Sequence, residues 1–117
     1  MTTPTSIRPD QLPAPIRGYL AAHVARDADA ALRGFAPSAV IVDDGATYCG
    51  TDEIRRFLSK AGAEFSYTTD LVGAQRIDGA HWVVTNRLEG DFPGGVVDLR
   101  YRFAMDGDLI AELHIAP

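Results

Sequence analysis

Asp43 and Asp44 stand side by side before Gly45, and a carboxylate in such a pair could abstract a proton if partial desolvation raised its pKa. Strand alternation gives Asp43 the face of Ile41 and Asp44 the face of Val40 and Val42, so only one of the two can look inward. The competing reading is an ordinary solvated Asp-Asp-Gly turn. His114, near the end of the sequence, shares its face with Glu112 and Ile110, and an inward imidazole there could donate to an oxyanion or shuttle a proton. The opposite face, with Leu109, Ala111, Leu113 and Ile115, is the greasier one, which would leave His114 solvated. Asn86 falls among Trp82, Val84 and Leu88, as a ligand contact or as a satisfied core amide. Trp82 and Tyr101 read as core or as a ligand platform, and His23 as a core histidine. His23, His81 and His114 share no metal-ligand spacing, and Asp43-Asp44 alone makes a poor metal site. Gly94-Gly95 is hairpin chemistry and not a phosphate loop, so neither metal nor cofactor is expected.

The elements that must hold these residues follow the hydrophobic periodicity. Pro13 and Pro15 lead into a helix whose inner stripe is Ile16, Tyr19, Leu20, His23 and Val24. Asp27 or Asp29 caps a second helix with Ala28, Ala31, Leu32 and Phe35 inside, closed by Pro37. Ala39 to Val42 is a strand, and Ala46 to Cys49 its return. Thr51 opens a third helix that buries Ile54, Phe57, Leu58 and Ala61, exposes Arg55, Arg56 and Lys60, and stops at Gly62. From there a meander begins with Phe65, Tyr67, Thr69 and Leu71 alternating, and turns at Asp78-Gly79, Phe92 to Gly95 and Asp106-Gly107. Val97, Leu99, Tyr101 and Phe103 share one face, with Asp98, Arg100 and Arg102 on the other. Helices first and long strands afterwards predict an α+β domain, its helices packed on one face of a curved antiparallel sheet.

Size and charge narrow the function classes. The 117 residues make one domain, and 46% apolar with 23% charged residues is ordinary for a folded chain. A net charge of −5 lacks the footprint of a phosphate-backbone binder. No apolar run approaches the ~20 residues of a membrane span. The single Cys49 fits a reducing compartment, so a cytoplasmic protein without nucleic-acid or membrane partners is expected.

Several strings resemble the nuclear transport factor 2-like superfamily, which includes ketosteroid isomerases and SnoaL-like polyketide cyclases. They are Tyr19-Leu20-Ala21-Ala22, Asp27 to Leu32, Phe35-Ala36-Pro37-Ser38-Ala39-Val40, Gly50 to Phe57, and Gly90 to Gly95 followed by Leu99 to Phe103. The resemblance spans about residues 12 to 116, with residues 1 to 11 as a flexible lead-in to a domain over 12 to 117. It implies a cone-shaped sheet whose concave face is covered by three helices from the N-terminal half, around a hydrophobic small-molecule pocket. It also implies a homodimer through the outer sheet face.

By the same resemblance Tyr19 matches the isomerases' oxyanion donor and Asp43 their general base, while the acid that completes the oxyanion hole falls on Leu99. His114 or Asn86 would then supply a second polar contact, and Asn86, Trp82, Leu99 and Tyr101 would line the ligand. The implied activity is cofactor-free isomerisation, cyclisation or dehydration of a carbonyl-containing ring compound. The alternative is a non-catalytic ligand-binding or dimerisation module. An epoxide hydrolase would need inward arginines, whereas Arg87, Arg100 and Arg102 alternate outward.

Overall fold

The structure, a computed structural model, describes residues 3–60 and 66–117. Helix α1 (Ala14–Ala25) follows Pro13 and buries Ile16, Tyr19 and Ala22, while Val24 is 64% exposed. The stripe expected to include Val24 turns off the core in the last helical turn. There Arg26 caps the helix in the left-handed conformation (φ 56°), its amide donating to the carbonyls of Ala22 and His23. Helix α2 (Ala28–Leu32) is shorter than its sequence stripe. The Asp27 carboxylate accepts from the Ala30 amide at 3.1 Å, so Asp27, not Asp29, is the cap. Asp27→Ala should cost about 1 kcal/mol in chemical denaturation, with the denaturant slope unchanged.

Phe35 belongs to strand and not to α2. Strand β2 (Phe35–Asp43) carries Pro37 within it, at an irregularity in the pairing between Phe35 and Val40, where a missing amide is tolerated. After β3 (Ala46–Cys49), helix α3 (Gly50–Lys60) begins before Thr51 and buries Ile54, Phe57 and Leu58. The Glu53 carboxylate reaches back to accept from the Cys49 amide at 3.0 Å, which fixes the start of α3 at Gly50. Arg55, Arg56 and Lys60 are exposed as expected. Ala61, Gly62 and Phe65 lie outside the described residues.

The meander follows as β4 (Tyr67–Arg76), β5 (His81–Gly90), β6 (Val96–Asp106) and β7 (Leu109–Ala116). Its turns fall where Asp78-Gly79, Gly94-Gly95 and Gly107 put them, and the latter three glycines have positive φ. The lead-in is tied down: β1 (Thr5–Ser6) pairs with Gln75 and Arg76 of β4, a 3-10 turn covers Pro9–Gln11, and Leu12 is buried.

The seven strands form one sheet in the order β1-β4-β5-β6-β7-β2-β3. The sheet is mixed, not wholly antiparallel, because β2 and β7 run parallel, with Ile41 opposite Leu113 and Asp43 opposite Ile115. The strands share one core with the helices: Ile41, Val84, Tyr101, Phe103, Leu113 and Ile115 from the sheet meet Ile16, Tyr19, Ile54 and Phe57. These residues define the concave face. Everything alternating with them lies on the convex face.

Candidate functional site

Asp43 is the last residue of β2, two after the fully buried Ile41, so alternation turns it to the concave side. Asp44 has left the strand, with φ 52° in the turn, and is exposed. The two carboxyls are therefore unequal. Burial, followed by the charge of Asp44, raises the Asp43 pKa above the usual carboxylate value.

Tyr19 projects from α1 into the densest part of the core, 1% exposed. Its ring meets Phe35 and Phe103 edge-on at 5.7 Å, stacks on His23 at 5.9 Å and lies 6.5 Å from Tyr101. Burial pushes that phenol's pKa well up, and Tyr101, Asp43 and Tyr67 push in the same direction. Tyr101 behaves alike: burial first, then Tyr67 and Asp43, raise it, while hydrogen bonding with the Asn86 side chain opposes them. The two phenols and the Asp43 carboxyl are thus close enough for each hydroxyl to sense the same charge. Both phenols are neutral donors at physiological pH.

Asn86 is 2% exposed and is the one buried polar side chain among the described residues. It lies across β5–β6 from Leu99, and no buried side-chain polar atom among the described residues lacks a partner. Leu99 and Trp82 are half-buried against the same core, Trp82 opposite Phe103. Tyr19, Asp43, Asn86, Trp82, Leu99 and Tyr101 therefore share the concave side.

His114 does not join them. It pairs with Arg102 across β6–β7 on the convex face, hydrogen-bonded to Glu112, in a groove of about 380 Å³ with His81 and Val83. The expectation of an inward His114 fails because a register shift between Ala104 and Met105 breaks the alternation of β7. Ile110 packs inside before the break, and Leu113 and Ile115 inside after it, leaving Glu112 and His114 outward. Arg87, Arg100 and Arg102 are outward as read, Arg87 paired with Asp98 at 2.9 Å.

Three residues not put forward as site residues, Tyr67, His23 and Arg26, complete the cluster. The Tyr67 hydroxyl lies 3.4 Å from His23 Nε2, and the Arg26 guanidinium sits 5.6 Å over the Tyr67 ring. Burial, then Arg26, lowers the His23 pKa, so its imidazole is neutral near pH 7. Burial raises Tyr67 while Arg26 works against it. A groove of about 320 Å³, lined by His23, Val24, Arg26, Tyr67, Thr68 and Thr69, reaches this edge from solvent. Alternation with Thr69, opposite the buried Leu88, was the signal that could have found Tyr67. Among the described residues no group of three or more His, Cys, Asp or Glu could hold a metal, and no helix is long and apolar enough to cross a membrane.

A helix-covered curved sheet with this polar cluster on its concave side defines the cystatin-like α+β class, and solved structures agree. A provisionally named polyketide cyclase from Sinorhizobium meliloti superposes with a TM-score of 0.85 at 33% identity, over 94% of this chain and 100% of that one. A protein of ketosteroid isomerase-like fold from Catenulispora acidiphila, solved with trimethylamine, gives 0.78 at 20% identity, over 92% and 87% of the two chains. A nuclear transport factor 2-like protein of unknown function from Cytophaga hutchinsonii gives 0.70 at 10% identity, over 96% and 91%. No protein-family model matches the sequence, and no curated protein does either. The chain belongs to the nuclear transport factor 2-like, SnoaL-like superfamily.

Proposed function

We propose that the protein encloses a hydrophobic ring compound bearing a carbonyl and moves a proton on it without a cofactor, as an isomerase, cyclase or dehydratase. Asp43 is the base, and Tyr19 donates a hydrogen bond to the oxygen on which charge develops. The observation that carries this reading is the Asp43 carboxyl, half-buried at a strand end, with its proton affinity raised and two phenols near. A base must hold the proton it takes, and an exposed aspartate would be too weak. The name of the 33%-identical relative, a cyclase, supports the same class of chemistry. The reading also includes a cytoplasmic homodimer, the second copy covering the convex sheet face.

The test is a carbon-detected NMR titration of the aspartate carboxyls. Asp43 should titrate above its ordinary value of 3.8, and Asp44→Asn should bring the midpoint down by removing the adjacent charge. A midpoint at or below that value would remove the base. One observation favours a second reading, a ligand-binding module without turnover: Leu99, half-buried among core residues, brings no acid to the concave face.

A further inference from the structure

Arg26 stands where a glycine would serve the backbone better. At φ 56° it ends α1 in a left-handed conformation that glycine adopts freely and a side chain only under strain. The arginine side chain held there has a definite place, with its guanidinium 5.6 Å over the Tyr67 ring. Arg8 and Arg87 each hold an aspartate, at 3.1 and 2.9 Å. Among the described residues no carboxylate forms an ion pair with Arg26. The carboxylate next to it in sequence, Asp27, is turned to the Ala30 amide as the cap of α2. A ring face attracts the charge of a guanidinium but brings no lone pairs to its five N–H donors.

The surroundings of this cation suit an anion with an apolar body. In the groove of about 320 Å³ Arg26 stands beside Val24, which is 64% exposed, and beside the uncharged hydroxyls of Thr68 and Thr69. Rings continue inward from Tyr67: the His23 ring is 6.4 Å from it, 6.3 Å from Tyr101 and 5.9 Å from Tyr19. His23 is neutral near pH 7, so the groove offers one positive charge and not two. One guanidinium matches a carboxylate, which it can hold through two parallel N–H bonds, whereas a phosphate dianion calls for a second cation.

We propose that the groove between α1 and β4 binds the carboxylate of a ring compound, with Arg26 as its partner and Val24 and Tyr67 against its apolar part. That this compound is the substrate rests on the function proposed above, and it narrows the substrates to ring ketones that also carry a carboxylate. The carboxylate is then a handle that takes no part in the reaction. Arg26 holds it alike in the ground and transition states, and so sets affinity and not the rate of the bound complex.

The experiment titrates the full chain with 2-naphthoate and with its uncharged isostere 2-naphthamide, following ligand fluorescence and the imidazole resonances of His23. The wild type should bind 2-naphthoate about tenfold more tightly than the amide. That preference should shrink in about 0.5 M salt, as it must for a pair open to solvent. Arg26→Gly keeps the left-handed cap without strain, so the variant should fold, lose the preference and show no shift of His23 with 2-naphthoate. Equal binding of the two probes by the wild type, or a preference that survives in Arg26→Gly, overturns the inference. Exchange of the α-protons of 6-carboxy-2-tetralone by the wild type separates this result from the function: exchange without the preference leaves the proposed function standing alone. A preference lost in Arg26→Gly, with no exchange by the wild type, leaves the carboxylate site standing and overturns the proposed function, and with it the carboxylate's role as a substrate handle.

Discussion

Asp43→Asn should make the protein more stable at pH 7 and, on the function proposed above, abolish exchange of the α-protons of a ring ketone such as 2-tetralone in deuterated buffer. The sign follows from linkage. The folded-state pKa of Asp43 is raised above the unfolded value, burial being the larger cause and Asp44 the smaller. The folded state therefore favours the protonated acid. That contribution is fully present below the unfolded pKa and is lost as pH rises through the folded one. At pH 7 the wild type carries an ionised carboxylate in a half-desolvated place, a burden that a neutral amide of the same shape lifts. The melting temperatures of the two proteins should differ at pH 7 and converge towards pH 3. Exchange should fall by on the order of 10² to 10⁴, the usual contribution of a general base. A variant less stable at pH 7, or one with unchanged exchange, would remove Asp43 from this role. Stability gained where activity is lost marks a residue held in place for chemistry.

Gly90→Ala should be among the most damaging single-methyl changes in the chain. A Cβ built on Gly90 would lie 2.2 Å from the Ser66 carbonyl oxygen, 2.6 Å from Tyr67 Cβ and 2.8 Å from Tyr67 Cα. Two of those three atoms are backbone, so no rotamer change relieves the contact. β4 and β5 would have to separate where Tyr67 pairs with Gly90. Overpacking of this kind typically costs about 1 to 3 kcal/mol, and rigid neighbours place this case at about 3 kcal/mol. Thermal unfolding measures the loss. The same shift moves the Tyr67 hydroxyl from His23, so the imidazole resonances of His23 should move even where the protein stays folded. An alanine variant that melts with the wild type would show that this strand end is slack.

Most elements were legible because their signals are local. Asp78-Gly79 and Asp106-Gly107 set two hairpins, and the alternation of Val97 to Phe103 assigned both faces of β6 correctly. Alternation put Asp43 with Ile41 and Asp44 with Val40 and Val42 but left open which of the two faces inward; the burial of Ile41 decides it. What was not legible depends on pairing between distant strands. For His114 the greasier face of Leu113 and Ile115 pointed to the outward placement that the structure shows, but the register shift opposite Met105, which puts Ile110 on the same side as Leu113, was not legible. Phe35 looked helical beside Ala31 and Leu32, yet β7 claims it through its pairing with Ile110. The convergence of Tyr19, Tyr67 and Tyr101 is a tertiary fact, with one phenol on a helix and two on strands separated by β5.

The parallel seam of β2 with β7 has a temporal consequence. Asp43 is emitted in synthesis well before its opposite number, Ile115. A nascent chain therefore carries Asp43 as a plain, well-hydrated acid until β7 docks beside β2, and long-range parallel pairing of this kind forms slowly. The burial that raises the proton affinity of Asp43 is thus incomplete until two segments distant in the sequence have met.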